Sequence, residues 1–283
     1  IDPDDVIVNV LDPAHGNTTI EVTVPSDATG NVTITIDGKD YTAPVVNGTA
    51  LFELGNNIAV GDHNITVTYN GDDNYEGVTK DTNITVIKGT INPADVVVDV
   101  INCTYGNVVI GVILPEDATG DVIITIEGVD YTAQIINGTA LFELGNNVTV
   151  GEHNITVTYN GDDNYNGVIK NDTITVKLSL DVEVDVINST YGNVTIEVTV
   201  PSDATGNVTI TIDGKDYTVP VINGTALFEL GNNITAGDHN ITVTYSGDNK
   251  YVEVTKMDNI TVTKASIDPD DVIVNVLDPA HGN

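Results

Sequence analysis

The sequence contains no arginine and no tryptophan, and nine lysines stand against 42 acidic residues, which gives a formal net charge of −33. Arginine is the usual ligand for phosphates and base edges, and a basic face is typical of nucleic-acid binding proteins. We therefore expect no nucleic-acid partner. The acidic field would also repel anionic membrane surfaces. No apolar run approaches the roughly 20 residues that a membrane helix needs, so we expect no membrane segment in this sequence.

Cysteine is nearly absent as well. Cys103 is the only one, so no disulfide can form within the chain, and it stands where the repeats described below have Pro13 and Ser189, which indicates an exposed turn. No histidines and cysteines have the spacing of a metal site, no serine or cysteine has a recognisable base nearby, and no strand leads into a phosphate-binding loop. We therefore predict no catalytic residues, no cofactor-binding residues and no metal site, and a protein that is not an enzyme.

The chain instead contains a long repeat. The motif HNITVTYNGDDNY occurs at 63–75 and 153–165, and it returns as HNITVTYSGDNKY at 239–251. Equivalent glycines lie 90, 86 and 90 residues apart, at Gly16, Gly106, Gly192 and Gly282. We predict three domains and the first strand of a fourth repeat, at 1–90, 91–178, 179–266 and 267–283. Since the sequence begins without Met or a leader pattern, we interpret it as a window of a longer or processed protein.

Each repeat shows the pattern of seven short strands separated by turn residues. In the first repeat, apolar positions alternate with polar ones, as in Val6, Val8 and Val10, in Ile20, Val22 and Val24, in Val32, Ile34 and Ile36, in Ala50, Phe52 and Leu54, in His63, Ile65, Val67 and Tyr69, and in Ile84 and Val86. Asp37-Gly38 and Asn47-Gly48 are strong hairpin signals. Alternation gives each strand one buried and one solvated face, so we predict an all-β fold of tandem immunoglobulin-like, seven-stranded β-sandwiches.

Several of these residues carry a resemblance to a known family. They are Gly16, Gly30 with Val32, the Asn-Gly-Thr-Ala of residues 47–50, and the Gly-Asp-His-Asn that leads to Thr-Tyr-x-Gly-Asp. Each repeat resembles the group 3 bacterial Ig-like domain, which occurs in long tandem arrays. The high Asn, Thr and Asp content is similar to that of adhesin-like surface proteins of methanogenic archaea. The resemblance implies display outside the cell and brings no catalytic residues.

The joints between the predicted domains differ. Nine residues, IKGTINPAD, connect Val86 to Val96, whereas only five, KLSLD, connect Val176 to Val182. We expect the second and third domains to pack at a different angle and more stiffly.

The last residues, 267–283, repeat residues 1–17 at every position. One interpretation is an array whose super-repeat of three domains is 266 residues long. The alternative is a filament subunit whose terminal strand, with Val272, Val274 and Val276, is donated to the next subunit.

Asn-x-Ser/Thr sequences are far more frequent than chance predicts, and they make N-glycosylation of an exported protein an attractive interpretation beside simple polar strand residues. The candidate asparagines are Asn17, Asn31, Asn47, Asn64, Asn83, Asn102, Asn137, Asn147, Asn154, Asn171, Asn188, Asn193, Asn207, Asn223, Asn233, Asn240 and Asn259.

Other recurring residues have structural interpretations beside functional ones. Aspartates at 2, 4, 5, 72 and 73 could bind calcium at domain joints or could only stabilise turns.

His63, His153 and His239 are expected to be packing or turn residues. Lys80, Lys170 and Lys256 are expected to be exposed edge lysines, with isopeptide crosslinking as the alternative. Tyr41, Tyr131 and Tyr217 are expected to be half-buried strand residues, with a sugar-binding platform as the alternative.

Together these features predict a non-enzymatic, extracellular, cell-surface stalk, adhesin or fibre of tandem Ig-like domains. Expected partners are further copies of itself or further Ig-like repeats, and surface glycans or proteins of another cell. The main alternative is a self-assembling extracellular filament subunit linked by exchange of the terminal strand. An accessory region of a carbohydrate-active enzyme would require a catalytic domain outside this sequence.

Overall fold

The computed structural model describes residues 1–274, whose regular structure consists of β-strands and two short 3-10 turns. The strands fall into three sets of seven, which we call repeats 1, 2 and 3. Repeat 1 contains β1 (Ile7–Asp12), β2 (Thr18–Thr23), β3 (Asn31–Ile36), β4 (Lys39–Pro44), β5 (Thr49–Gly55), β6 (Gly61–Tyr69) and β7 (Val78–Val86). Repeat 2 contains β8 (Val97–Asn102), β9 (Val108–Ile113), β10 (Asp121–Ile126), β11 (Val129–Ile136), β12 (Thr139–Gly145), β13 (Gly151–Gly161) and β14 (Asn166–Val176). Repeat 3 contains β15 (Glu183–Asn188), β16 (Val194–Thr199), β17 (Asn207–Ile212), β18 (Lys215–Pro220), β19 (Thr225–Gly231), β20 (Gly237–Tyr245) and β21 (Val254–Val262). Short 3-10 turns lie at Pro3–Asp5 and Pro269–Asp271.

By packing, the chain divides into two compact units. The first comprises Ile1–Asn102, Val109–Leu144 and His153–Ile174, and so contains repeat 1 and most of repeat 2. The second comprises Cys103–Val108, Gly145–Glu152 and the chain from Thr175 onward, and so contains repeat 3 and the remaining parts of repeat 2. The three predicted domain ranges stay a prediction.

Repeats 1 and 3 each form two antiparallel sheets. The strand orders are β1-β2-β5 and β4-β3-β6-β7 in repeat 1, and β15-β16-β19 and β18-β17-β20-β21 in repeat 3. The inward faces of the two sheets share one hydrophobic core in each of these repeats. The predicted fold of tandem Ig-like β-sandwiches is thus confirmed.

In repeat 2 the two sheets join into one seven-stranded sheet, in the order β14-β13-β10-β11-β12-β9-β8. The joining contact is a short ladder in which Ile135 and Ile136 of β11 pair with β12. Repeats 1 and 3 end the corresponding strands at Pro44 and Pro220, and only single bridges follow. Repeat 2 has Gln134 at this position. Because proline cannot donate a backbone hydrogen bond, its absence lets β11 continue into the ladder.

The predicted alternation fits the core well, with one departure. Ile20, Ile34 and Val67 are fully buried, and so is Tyr69, which fills the core near the end of β6. The departure is β1, where Val10 is 36% exposed although it was expected to face inward. The pairing of β1 with β2 shifts register after Val10, which turns this edge strand out of the core.

In every repeat, the residues that directly follow the first and last strands are joined by a pair of parallel backbone hydrogen bonds, which we call the strand clamp. In repeat 1 the His15 N–H donates to the Ile87 carbonyl, and the Ile87 N–H donates to the Pro13 carbonyl, both at 2.9 Å. The same pair joins Tyr105 and Cys103 to Lys177 in repeat 2, and Tyr191 and Ser189 to Thr263 in repeat 3. Cys103 is half-buried in this clamp and does not lie on the exposed turn that we predicted.

Candidate functional site

The turn between β6 and β7 is built on one carboxylate. Oδ1 of Asp72 accepts hydrogen bonds from the backbone N–H groups of Asn74 and Tyr75, at 2.8 and 2.7 Å. Oδ2 accepts from the N–H and the hydroxyl of Thr29, at 2.6 and 2.9 Å. The Thr29 N–H bond, the largest influence, acts with the other bonds to hold the pKa of Asp72 well below its ordinary value. The carboxylate therefore ties this turn to the loop before β3.

Asp162 and Asp248 do the same in repeats 2 and 3, where they accept from Thr119 and Thr205. Burial opposes ionisation of Asp162, but the hydrogen bonds led by the Thr119 N–H outweigh it and lower the pKa to about 2. Because both oxygens of each carboxylate are already occupied by donors, the turn is a poor calcium ligand. Residues 1–274 contain no group of three or more His, Cys, Asp or Glu side chains arranged to hold a metal. Calcium binding stays a prediction.

A second recurring contact lies beside this turn. The Tyr75 hydroxyl donates to Asp27 Oδ1 at 2.8 Å, and the Tyr165 hydroxyl donates to Asp117 Oδ1 at 2.7 Å. Tyr251 and Asp203 form the same bond in repeat 3 at 2.8 Å. Burial first, and then the Asp117 carboxylate, raise the pKa of Tyr165, so the phenol stays a donor. Each repeat thus has an Asp–Tyr pair beside this turn, and in repeats 2 and 3 the pair lies at the end that receives the preceding linker.

One polar group near the turn is left without a partner. The core tyrosine of each repeat, Tyr69, Tyr159 or Tyr245, has a buried hydroxyl that makes no hydrogen bond of good geometry among the described residues. Burial and the nearby Asp72 carboxylate raise the pKa of Tyr69 to about 12. The hydroxyl stays neutral and belongs to the core.

At the junction of repeats 1 and 2, the linker pairs with the turn of repeat 2. The Gly89 N–H donates to the Asn164 carbonyl and the Asn166 N–H donates to the Gly89 carbonyl, both at 2.9 Å. The ammonium of Lys88 donates to the Asp162 carbonyl. A Cβ at position 89 would lie 3.0 Å from the Tyr165 ring and 2.5 Å from the carbonyl oxygen of His15. The junction is therefore tight enough to require glycine here.

His15 lies in the same junction and joins the two repeats. Its ring is 4% exposed, with Nδ1 3.0 Å from the Ile58 carbonyl oxygen and Nε2 2.9 Å from Asp117 Oδ2. Its edge faces the Tyr165 ring at a centroid distance of 5.4 Å. The Ile58 carbonyl oxygen has no proton to donate, and neither has the carboxylate of Asp117 when it is ionised. Both atoms then act only as hydrogen-bond acceptors. The ring makes both bonds only when both of its nitrogens carry a proton.

The junction of repeats 2 and 3 keeps the backbone pairing and changes the side chains. The Leu178 N–H donates to the Lys250 carbonyl at 2.8 Å, and the Val252 N–H donates to the Leu178 carbonyl at 2.9 Å. The Lys177 ammonium donates to the Asp248 carbonyl at 2.5 Å. The position of His15 is taken by Tyr105, which is 43% exposed.

The three histidines of the repeated motif hold a hairpin, as their interpretation as turn residues predicts. His63 places Nδ1 2.8 Å from Asp37 Oδ2 and Nε2 2.8 Å from the Ala59 carbonyl oxygen. His239 makes the equivalent contacts with Asp213 and Thr235, and His153 approaches Glu127 at 3.3 Å. These contacts link the start of β6 and its copies to the preceding hairpin.

A model of the bacterial Ig-like domain (group 3) matches residues 11–87 and 185–263. The chain belongs to this family. A comparison with curated proteins finds no match for this group 3 Ig-like chain. The matched segments correspond to repeats 1 and 3, and the strands of repeat 2, between them, follow the same order along the chain.

Solved structures similar to the group 3 Ig-like chain include tandem arrays. A bacterial 1.5-MDa ice-binding adhesin structure is 20% identical over 92% of this chain and 98% of that chain, with a TM-score of 0.26. A tetra-tandem repeat from the extending region of a large adhesion protein is 16% identical over 91% and 74%, with a TM-score of 0.29. The FN1-FN3 domains of chicken CNTN1 are 11% identical over 90% and 97%, with a TM-score of 0.37. Likeness at this level carries no argument about function.

Each Ig-like repeat also uses its last-strand lysine internally. The Lys80 ammonium donates to the Val6 carbonyl at 2.6 Å, and Lys256 donates to the Val182 carbonyl at 3.0 Å. Lys170 makes the same contact with the carbonyl that precedes β8. These lysines lie on the edge strands β7, β14 and β21, as predicted, but they are half-buried and not fully exposed. Their hydrogen-bond partners are backbone carbonyls, and the Lys170 and Lys256 ammonium groups also lie 3.6 and 3.9 Å from the carboxylates of Asp172 and Asp258. Isopeptide crosslinking stays an untested alternative.

Nearly all candidate glycosylation sites of the Ig-like repeats are exposed. The exception is Asn102, which is half-buried and interacts with other residues. Two of the sites face each other across β6 and β7, at Asn64 and Asn83, and the pair returns at Asn240 and Asn259. Exposure makes these asparagines accessible to a transferase, and glycan occupancy stays a prediction.

The remaining candidates lie apart from the junctions. Tyr41, Tyr131 and Tyr217 are half-buried, as expected for strand residues. Among the terminal residues, Val272 is 62% and Val274 is 82% exposed, and both lie outside any strand. Val276 lies outside the described residues. No helix within residues 1–274 has the length and apolar character to cross a membrane.

Sequence reasoning missed the residues that build the junctions. His15 and Asp117 are 102 positions apart, and Tyr165 and Asp117 are 48 positions apart, so no local pattern joins them. The available signal was the recurrence of Pro-x-Asp-Ala-Thr-Gly and Gly-Asp-x-x-Tyr with every repeat of the family. The Asp, Thr and Tyr residues of these two motifs recur although the alternating pattern of a β-sheet does not require them.

Proposed function

We propose that this chain is part of a non-enzymatic, adhesin-like stalk on the outside of a cell, in which tandem Ig-like repeats hold a distal region away from the surface. The observation that carries the proposal is the repeated junction. At both junctions, a linker residue exchanges two backbone hydrogen bonds with the turn of the following repeat. A linker that is bound in this way orders successive repeats and limits their bending, which is the property a spacer needs.

Charge and surface chemistry support an extracellular setting. The net charge of −33 favours solubility of a long chain and discourages lateral association between copies. Exposed Asn-x-Ser/Thr sites provide acceptors for glycans during export. Partners would be further Ig-like repeats along the array and glycans or proteins on another cell. Repetition would then increase avidity. No cofactor is part of the proposal.

The experiment is surface labelling of cells that naturally produce the protein. Antibodies against this segment should label intact cells, and external protease should remove the label without lysis. Deleting the segment from the full-length protein should reduce attachment to the natural partner surface. Label that appears only after lysis would overturn the proposal.

A second candidate is a filament subunit joined by strand exchange. It is favoured by the terminal residues 267–274, whose sequence equals that of residues 1–8. Val6 is 1% exposed and belongs to the hydrophobic core of repeat 1, whereas the side chain at the equivalent position, Val272, is 62% exposed. Insertion of a terminal segment into the first sheet of another copy would bury that side chain and extend a chain of subunits.

Light scattering on purified protein tests this candidate. If strand exchange occurs, the chain should form concentration-dependent oligomers, and deletion of 267–283 should leave monomers. The double variant V272D/V274D should have the same effect, because a carboxylate does not enter the site of Val6. I136D/I222D, at exposed positions beside the hairpin turns of the other repeats, is the matched control. Oligomers that persist after the deletion would contradict strand exchange while leaving the stalk proposal intact.

A further inference from the structure

We propose that the outer face of β8, β9 and β12 in repeat 2 is a docking surface for a second copy of this chain, centred on Gly111. We call this surface the Gly111 face. The inference goes beyond the stalk proposal, since it concerns how two chains meet side by side. It also differs from strand exchange, because both copies keep all of their own strands. The outward residues of the face are Val97, Asp99, Ile101, Val109, Gly111, Ile113, Leu141 and Glu143.

The first observation is that β9 lacks the polar outer side chains of its counterparts in the other repeats. In β2 and β16, buried side chains alternate with outward ones, and the three outward positions read Thr-Glu-Thr. In β9 the same three positions read Val-Gly-Ile. Repeat 2 has therefore lost every polar side chain at the centre of this face. The residues compared are Thr19, Glu21 and Thr23 in β2, Thr195, Glu197 and Thr199 in β16, and Val109, Gly111 and Ile113 in β9.

The second observation is that the side chains around this centre are apolar and exposed to solvent. Ile113, Val97, Leu141 and Ile101 are 40–58% exposed. Val97 pairs with Ile113 across β8 and β9, and β12, which carries Leu141, lies on the other side of β9. The four side chains thus come from three adjacent strands and form one continuous patch. Single exposed apolar residues are common on protein surfaces, whereas a continuous patch marks an interaction surface.

The third observation is that the fold does not require glycine at position 111. The backbone of Gly111 lies outside the left-handed region, and a Cβ there would make only ordinary contacts, 3.5 Å from Ile101 Cδ1 and 3.8 Å from Asp99 Cβ. Gly111 pairs in regular register with Asp99, so it marks no bulge. Glycine inside a strand weakens the strand, and it is typical of places where another molecule approaches closely. Close approach from outside accounts for this glycine, since neither backbone conformation nor crowding does.

The shape of the Gly111 face makes it complementary to itself. Ile113 projects from the same face of the same strand two residues after Gly111, so a protruding side chain and a depression lie about 7 Å apart. A two-fold axis that passes between them places the Ile113 side chain of each copy over the Gly111 of the other. At the usual spacing of about 10 Å between packed sheets, the surrounding apolar side chains of the two copies interdigitate. A second copy therefore fits this face without any change of fold.

Charge restricts where two copies can meet. Each chain has a net charge of −33, so like faces that carry a carboxylate at their centre repel each other. In repeat 1 that carboxylate belongs to Glu21, which accepts a hydrogen bond from Asn9 at 3.4 Å. Gly111 removes it from repeat 2 and leaves acidic residues only on the flanking strands, at Asp99 and Glu143. The Gly111 face is thus better suited to contact with its own copy than the equivalent faces of repeats 1 and 3.

The area of the face sets the strength of the contact. Three strands about 4.8 Å apart, each with five residues that rise about 3.4 Å, make a face of roughly 250 Å². Stable complexes bury about 800 Å² on each partner, so this contact belongs to the small, transient class. Because the two chains repel each other over most of their surface, salt should strengthen the dimer by screening that repulsion.

Sedimentation velocity of the full chain tests the proposal, at protein concentrations from about 10 μM to about 1 mM. A reducing buffer excludes a disulfide through Cys103. We expect a reversible shift from monomer to dimer as concentration rises, and no larger species, because a two-fold contact closes on itself. Raising NaCl from about 20 mM to about 500 mM should lower the dissociation constant of the dimer at least about threefold.

Two variants place the contact on the Gly111 face. G111E and I113T introduce the residues that repeats 1 and 3 have at these positions, so the same fold already accommodates them. Each should raise the dissociation constant at least about tenfold, G111E by burying a carboxylate at the centre of the contact and I113T by shortening the side chain that fills the depression. I169E is the matched control, since it adds the same charge at an exposed position of β14, at the opposite edge of the sheet. It should dimerise as the wild type does.

Three results would overturn the proposal. The first is a wild-type chain that stays monomeric over the whole range of concentration and salt. The second is a dimer that persists in G111E and I113T, or one that I169E weakens as much as they do. The third is association that disappears when 267–283 is deleted, which would assign the contact to strand exchange.

Discussion

The two junctions share a backbone arrangement and differ in their side chains. In each junction, a residue of the strand clamp lies just before a linker residue that pairs through its backbone with the β6–β7-type turn of the following repeat. A lysine ammonium also donates to a backbone carbonyl of that turn. In the first junction one residue, Lys88, separates the clamp residue Ile87 from Gly89. In the second, Lys177 is followed directly by Leu178. The shorter linker therefore loses residues without losing the pairing.

This difference shows which part of a junction is required and which part is adjustable. The main-chain bonds need only two extended segments at the right spacing, so they tolerate different residues at positions 89 and 178. Side-chain contacts are specific to each junction, with His15 buried in one and Tyr105 exposed in the other. Three changes, given in order of decreasing effect, would break or sharpen the comparison.

The largest effect is expected from G89A. The added methyl would meet the carbonyl oxygen of His15 at 2.5 Å, and backbone atoms must move to accept it. We expect a loss of about 2 kcal/mol at this junction. Hydrogen exchange should show faster exchange of the Gly89 and Asn166 amides. The control is L178A, which trims a side chain at the corresponding place and should leave the Val252 amide protected. Equal acceleration at both junctions would contradict the requirement for glycine.

A smaller effect is expected from Y165F. Loss of its hydroxyl removes one bond from the partly buried Asp117, at a cost of about 1 kcal/mol. Y75F removes the matching bond from Asp27, which is exposed and can be rehydrated, so it should cost less. Calorimetry of both variants measures the difference. A larger penalty for Y75F would show that the second oxygen of Asp117, bound by His15, compensates for the loss.

The smallest effect concerns His239. The hydrogen bond to the Thr235 carbonyl, the leading cause, and the Asp213 carboxylate raise the pKa of His239 against the effect of burial. A raised folded-state pKa means that the contribution to stability is complete below the ordinary pKa of 6.5 and is lost as pH rises through the folded value. H239Q should remove this pH dependence from thermal unfolding. A slope of the opposite sign would contradict protonation in the folded state.

The sequence predicts the strands well because their pattern is local. The alternation in β6 and the Asn-Gly turn at Asn47, where φ is 51°, depend only on neighbouring residues. It predicts the junctions poorly, since His15 and Asp117 meet only after two repeats have folded. The joined sheet of repeat 2 lies between these cases. The cause of the joined sheet, Gln134 in place of proline, can be read from the sequence. The pairing of β11 with β12 can be predicted only when the position of β12 is also known.

The strand clamp has a consequence for the response of the chain to a pulling force. If the two ends of the chain are pulled apart, tension would enter each repeat near its first strand and leave near its last. In every repeat those two ends are linked by two parallel backbone bonds, and the lysine of the last strand adds a third to the residue that precedes β1, β8 or β15. Bonds that lie across the pulling direction share the force and must rupture together. Each repeat should therefore resist extension in shear, and the strands between its ends should carry little of the load.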